Sequence, residues 1–171
     1  MAQTPDELFA YLADLRIQTE TTDHAPVFTV DESRQLRGLI PGAHTKNLFL
    51  RDNKKTYFLL TLDEERAVDL KALRPLIGAR GGLSFASAAA LEEHLGVKPG
   101  SVSPFAVIND KAGAVRMFLD ATLVEAPVVN CHPLTNTKTS SIAPADLLAF
   151  LRATGHEPEI LALGPVEPSH E

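Results

Sequence analysis

The chain has 171 residues, a formal net charge of −6, 44% apolar residues and 22% charged residues. That length suits one domain with a substantial core, and the composition is that of an ordinary globular protein. The negative charge argues against indiscriminate nucleic-acid binding, and no DNA is expected as a partner, but a local basic patch that grips one RNA end stays open. No apolar stretch approaches the roughly 20 residues that cross a bilayer. Met1 to Glu7 has neither a basic nor an apolar signal region, so no membrane partner and a cytoplasmic location are expected. One cysteine, Cys131, leaves no internal disulfide and no multi-thiolate zinc site.

In chain order, Thr4-Pro5-Asp6-Glu7 supplies an N-cap, a proline at the first helical position and a capping-box glutamate. Leu8, Leu12 and Leu15 then recur at helical spacing. Thr19 to Thr22 reads as a short strand, and Asp31-Glu32-Ser33 opens a short helix that Gly38 and Pro41-Gly42 end. Lys46 to Arg51 and Thr56 to Leu62 are apolar runs around Asp52-Asn53-Lys54-Lys55, which predicts a hairpin. A helix follows over Leu70 to Ile77, interrupted near Pro75. Ser87 caps another over Ala88 to Leu95, closed by Gly96.

Beyond the loop Lys98 to Pro104, a strand is expected over Phe105 to Ile108, with Val115 to Leu119 pairing back on it. Val128 to His132 and Lys138 to Ile142 form a further strand pair. Pro144 to Thr154 is the last strong helix, ended by Gly155, before a short strand near Glu159 to Leu163. Together these elements predict a single α+β domain over residues 1–163, a mixed, mostly antiparallel sheet or barrel flanked by helices. Residues 164–171, rich in proline and charge, are expected to be a disordered tail. A doubly wound nucleotide fold fits poorly, because strand and helix do not alternate between Lys46 and Leu62 and no phosphate-cradling glycine loop follows a strand.

The sequence has no Gly-x-Ser-x-Gly elbow, no His-Glu-x-x-His and no histidine pair spaced as ligands on a helix. Cys131 beside His132 suggests a thiol–imidazole pair, but neighbours on a strand diverge, and a lone cysteine is usually a buried apolar residue. Three segments stand out. In His44-Thr45-Lys46-Asn47 a lysine enters an apolar strand, where it either stands as a fixed cation over a cleft or merely guards a sheet edge. In Gly100-Ser101-Val102-Ser103-Pro104, backbone amides either serve as an oxyanion hole or belong to an ordinary connection. In Asn130 to Thr137, dense polar side chains form either a ligand rim or a turn.

Thr45-Lys46-Asn47-Leu48-Phe49-Leu50-Arg51-Asp52, with Lys54-Lys55 and Tyr57-Phe58-Leu59, resembles the signature of the YbaK/ProX family of aminoacyl-tRNA deacylases, related to the editing domain of bacterial prolyl-tRNA synthetase. Gly100 to Pro104 is similar to that family's Gly-x-x-x-Pro loop. Val129 to Thr137 is similar to the pocket segment of its PrdX-like branch of free-standing Ala-tRNA(Pro) deacylases, with Cys131 where a bulky or aromatic residue is expected. The resemblance runs in order from about residue 4 to residue 163.

It implies hydrolysis of the ester of mischarged Ala-tRNA(Pro) by a positioned water, with no cofactor and no metal. Lys46 and the amides around Gly100 and Ser101 would carry catalysis. Thr45, Asn47, Ser103, Pro104, His132 and Asn136 would border the substrate, and Arg51, Lys54, Lys55 and Arg80 would meet acceptor-stem phosphates. The implied partners are the acceptor end of aminoacyl-tRNA, prolyl-tRNA synthetase and elongation factor. Two alternatives remain: a non-catalytic tRNA- or synthetase-binding module, and a deacylase for another small amino acid, cysteine or serine.

Overall fold

A computed structural model describes residues 2–26 and 39–164. The expected helix at Asp31 to Gly38, and the tail from residue 165 onward, lie outside the described residues. The first helix, α1 (Pro5–Asp14), starts as its sequence demands: Thr4 accepts from Glu7 N–H and Glu7 reaches back to Thr4 N–H, so two orphan donors are satisfied.

Eight strands form one mixed sheet among the described residues: β1 (Glu20–Asp23), β2 (Ala43–Arg51), β3 (Tyr57–Asp63), β4 (Ser84–Phe85), β5 (Val115–Asp120), β6 (Val129–Cys131), β7 (Lys138–Ile142) and β8 (Glu159–Leu161). Their order is β1-β7-β6-β2-β3-β5-β8, with β4 also on β2. The hairpins β2–β3 and β6–β7 stand where the sequence predicts them. Parallel pairs join β2 to β6, β3 to β5 and β5 to β8, alongside four antiparallel ones.

Because side chains alternate along a strand, β2 and β3 feed two cores. Phe49, Leu59 and Met117 face a large cluster that includes Leu8, Leu12, Leu95, Phe105, Leu147 and Phe150. Leu48, Leu50, Phe58, Leu60, Leu62 and Phe118 face a smaller one closed by Leu73, Ile77 and Leu161. Leu73 and Ile77 belong to α2 (Leu70–Ile77), which runs through Pro75 without interruption and ends at Gly78 in the left-handed region. A proline in the last turn removes one backbone donor, too little to break so short a helix against its core.

Two further expectations are overturned. Phe105 to Ile108 is no strand but part of a 3-10 helix, Pro104–Asn109. Ser103 caps it by accepting from Phe105 N–H, Pro104 takes its first position, and Pro104 to Val107 are all buried. The apolar run therefore reflects burial on all sides, a pattern that does not distinguish strand from helix. Consequently β5 does not pair back on that segment; it lies parallel between β3 and β8.

The remaining helices are α3 (Ala88–Leu95), capped by Ser87 and closed by Gly96 at φ 64, the short α4 (Ala121–Val124), and α5 (Pro144–Ala153). β4 and α4 carry no sequence signal of their own and went unpredicted, and β8 ends at Leu161, short of Leu163.

Candidate functional site

β3 runs along one edge of β2 from Thr45 to Arg51. On the other edge β6 pairs with Ala43 and His44, while β4 pairs with Leu50 and Arg51 and Ala86 N–H donates to the Phe49 carbonyl. The stretch Thr45 to Leu48 is left between them, and the polar start of the signature strand occupies it.

Alternation splits the signature between two faces. The β2–β3 register is unbroken, so Lys46 lies in phase with Leu48 and Leu50, and Thr45 and Asn47 lie with Phe49 on the opposite face. Lys46 is half-buried, and its ammonium donates to the Arg66 carbonyl. Burial lowers its pKa below the ordinary lysine value, partly offset by attraction to Asp63, Glu64 and Glu65, with Arg66 adding to the depression.

His132 follows β6 by one residue, on the face shared by Asn130 and, through the parallel register, His44. Its Nδ1 lies 3.0 Å from the Lys138 carbonyl. A carbonyl only accepts, so Nδ1 carries the proton and a neutral ring offers Nε2 as an acceptor. Burial holds the His132 pKa below its usual value, against the Lys138 carbonyl and Glu64; His24 and His44 push the same way as burial. Glu64, buried and with its N–H on the His44 carbonyl, thus attracts both Lys46 and His132. No motif marked it, because it lies in the charged Asp63-Glu64-Glu65 run that precedes the Leu70 helix.

On the other face Thr45 donates to the Asn130 carbonyl at 2.9 Å and approaches the Cys131 sulfur at 3.8 Å. Burial pushes the Cys131 thiol up to about 12, with the Thr45 hydroxyl opposing. A thiol so protonated is no nucleophile; Cys131 is the core residue its rarity suggested. Asn47 Nδ2 donates to the Val102 carbonyl at 3.1 Å, which brings the Gly100–Pro104 loop to the open stretch of β2.

Within that loop Gly100 is exposed with φ 93, and Ser103 and Pro104 are buried. Ser101 N–H is already engaged with the Lys98 carbonyl at 3.0 Å. The N–H groups of Gly100, Val102 and Ser103 have no hydrogen-bond partner among the described residues.

Asn136 stands half-buried in the β6–β7 connection, where Leu134 takes a positive φ of 66. Arg51, Lys54, Lys55 and Arg80 are exposed and gathered at the far end of the β2–β3 hairpin. Buried Asp52 organises that end by accepting from the N–H groups of Lys54, Thr56 and Arg80. Burial raises the Asp52 carboxyl, but those donors and the Arg80 charge outweigh it and hold the pKa low. A cleft of about 620 Å³ between α1 and β7 contains none of the expected site residues, nor does one of about 540 Å³ beside α3. Among the described residues no group of three or more His, Cys, Asp or Glu is placed to hold a metal, and no helix is long and apolar enough to cross a membrane.

Comparison with known proteins shows the family and the fold. The model of the aminoacyl-tRNA editing domain matches residues 24–150. The chain is 42% identical over 154 residues to prolyl-tRNA synthetase associated domain-containing protein 1 of Bos taurus, covering 88% of this chain and 90% of that protein. It is 35% identical over 150 residues to the prolyl-tRNA editing protein ProX of Acetoanaerobium sticklandii, covering 87% and 91%. Among solved structures, a scaffold used for computational epitope grafting superposes with a TM-score of 0.74 at 21% identity, over 98% of this chain and all of that one. One described as a candidate trans-editing enzyme for prolyl-tRNA synthetase superposes at 0.69 and 22% identity, over 96% and 100%. Both show likeness of fold.

Proposed function

Since this chain belongs to the aminoacyl-tRNA editing domain family, we propose that it is a free-standing deacylase that hydrolyses mischarged Ala-tRNA(Pro). The observation that carries the reading is the open stretch of β2, which presents Lys46 on one face and, through Asn47 on the other, holds the Gly100–Pro104 loop from a distant part of the chain. A fixed cation and a set of unengaged amides are what ester hydrolysis by water needs.

In this mechanism water adds to the ester carbonyl carbon while the carbonyl oxygen gains charge. The amides of Gly100 and Val102 stabilise that oxygen, and Lys46 holds the terminal phosphate or carbonyl in register. Ser101, its N–H engaged elsewhere, contributes to the shape of the loop. The bond to the ribose oxygen then breaks; one water proton ends on the departing ribose hydroxyl, the other in solvent as the alanine carboxylate forms. The neighbouring ribose hydroxyl helps order the water. His132 and Asn136 border the alanyl group, and the pocket there would admit alanine and exclude proline. Such a sieve is needed because a synthetase site built for a larger apolar residue rejects a smaller one poorly.

Arg51, Lys54, Lys55 and Arg80 meet acceptor-stem phosphates, and prolyl-tRNA synthetase and elongation factor are the expected co-partners. The test is Lys46→Ala: its circular-dichroism spectrum stays native while hydrolysis of Ala-tRNA(Pro) is lost. Full activity in that variant would remove Lys46 from the mechanism. Binding of tRNA by the parent protein without ester cleavage would favour a non-catalytic module.

A further inference from the structure

Asn47 sits between two partners that together dictate which way its amide points. The Val102 carbonyl, 3.1 Å away, only accepts, so the NH₂ group must face it. The amide oxygen is thereby turned to Thr61, whose hydroxyl donates to it at 2.6 Å. Thr61 is fully buried on β3, directly opposite Asn47 in the antiparallel register. Reversing the amide would set a donor against a hydroxyl and an oxygen against a carbonyl. The Thr61 hydroxyl therefore locks Asn47 in the one orientation that can hold the loop.

Holding the Val102 carbonyl has a further effect. The peptide unit is planar and trans, and no cis bond occurs among the described residues. Fixing the direction of the Val102 carbonyl fixes the Ser103 N–H, which points the opposite way across the same plane. At the loop's other end Ser103 accepts from Phe105 N–H and Pro104 is buried, so that end is anchored too. Asn47 is the described side chain that ties the middle of the loop to the strand carrying Lys46.

We infer that Thr61 is a positioning residue for the reaction: through Asn47 it holds in place the loop that carries the Gly100 and Val102 amides. The inference rests on the deacylase reading above and adds a residue that touches neither substrate nor water. It also changes the role of Asn47, both ends of whose amide are engaged within the protein, from lining the substrate to tethering the loop.

The experiment measures Ala-tRNA(Pro) deacylation by the full chain as purified and by Thr61→Val and Thr61→Ser, with thermal melting of each. Valine keeps the shape of threonine and removes the hydroxyl; serine keeps the hydroxyl and removes the methyl. Losing an oxyanion donor outright lowers kcat by about 100-fold or more, so misaiming the loop is expected to lower kcat roughly tenfold or more in Thr61→Val. KM should stay within about twofold, and Thr61→Ser should recover most of the rate. A general loss of packing would instead lower both variants in step with their melting temperatures. Should Thr61→Val not fold, Thr61→Ala against Thr61→Ser makes the same comparison. Parent-like kcat in the hydroxyl-free variant, or failure of serine to restore it, overturns the inference while leaving the deacylase reading intact. An inactive parent protein overturns the reading itself and the inference with it.

Discussion

A half-buried lysine at the mouth of a strand trades hydration for a fixed position. Burial lowers the Lys46 pKa more than Asp63, Glu64 and Glu65 raise it. Between that lowered value and 10.5 the unfolded chain binds the proton that the folded chain has shed, so charged Lys46 costs stability at neutral pH and the cost fades as pH rises through this window. Lys46→Met should therefore melt no lower than the parent at neutral pH while losing hydrolysis; retained hydrolysis would contradict the assignment. The enzyme-dependent rate should also fall as pH climbs through the lowered pKa, before a free lysine would lose its charge. His132 shows the other consequence of burial. Its pKa lies below 6.5, so the stability it contributes as a neutral ring is present above 6.5 and lost as pH falls through the folded value. His132→Ala should widen the pocket and weaken the preference for alanine over larger amino acids in a panel of charged tRNAs. Unchanged selectivity would place His132 outside the pocket.

At the scale of elements, alternation along β2 decides what the signature does. Thr45, Lys46 and Asn47 are contiguous and were legible as a motif, yet they serve two faces, a division that depends on which face each core covers. The hairpin was legible because Asp52 to Lys55 breaks two apolar runs. The parallel pairings of β2 with β6, β3 with β5 and β5 with β8 were not, since pairing between distant strands leaves no local mark, and the wholly buried Pro104–Val107 turn looked like a strand. Thr61 and Asp120 were likewise invisible, each a polar residue in an apolar run, and Glu64 and Arg66 were hidden within the charged run Asp63 to Arg66. Arg66 and Asp120 form a buried pair at 2.7 Å. Asp120 also accepts from the Asp63 and Thr122 N–H groups and from the Thr122 hydroxyl. Burial raises the Asp120 carboxyl, but Arg66 and these donors hold it below the usual range. Its stabilisation is thus present above about 3.9 and lost as pH falls through the lower folded value. Breaking a buried pair typically costs about 3–5 kcal/mol, so Asp120→Ala should lower unfolding stability by about that much in a urea titration. A loss under about 1 kcal/mol would show that the pair does not hold the Asp63–Arg66 turn beneath Lys46.

At the scale of the whole molecule, a chain of net charge −6 must meet a polyanion through a local patch. Five residues of β2 at about 3.3 Å each put Arg51 about 17 Å from Lys46, with Lys54, Lys55 and Arg80 around it. That spacing suits a terminal nucleotide at Lys46 and duplex phosphates at the hairpin end. Reversing charge at Arg51 and Lys54 together should lower kcat/KM for Ala-tRNA(Pro), with the deficit narrowing as salt rises from about 50 to about 200 mM. An effect independent of salt would remove the patch from tRNA binding. The central claim is that the open stretch of β2 hydrolyses one kind of ester. Its most direct test is the rate at which the purified chain releases amino acid from Ala-tRNA(Pro), measured beside Pro-tRNA(Pro) and the cysteinyl and seryl esters. The account predicts rapid release of alanine and sparing of proline; intact Ala-tRNA(Pro), or equal release of proline, would contradict it.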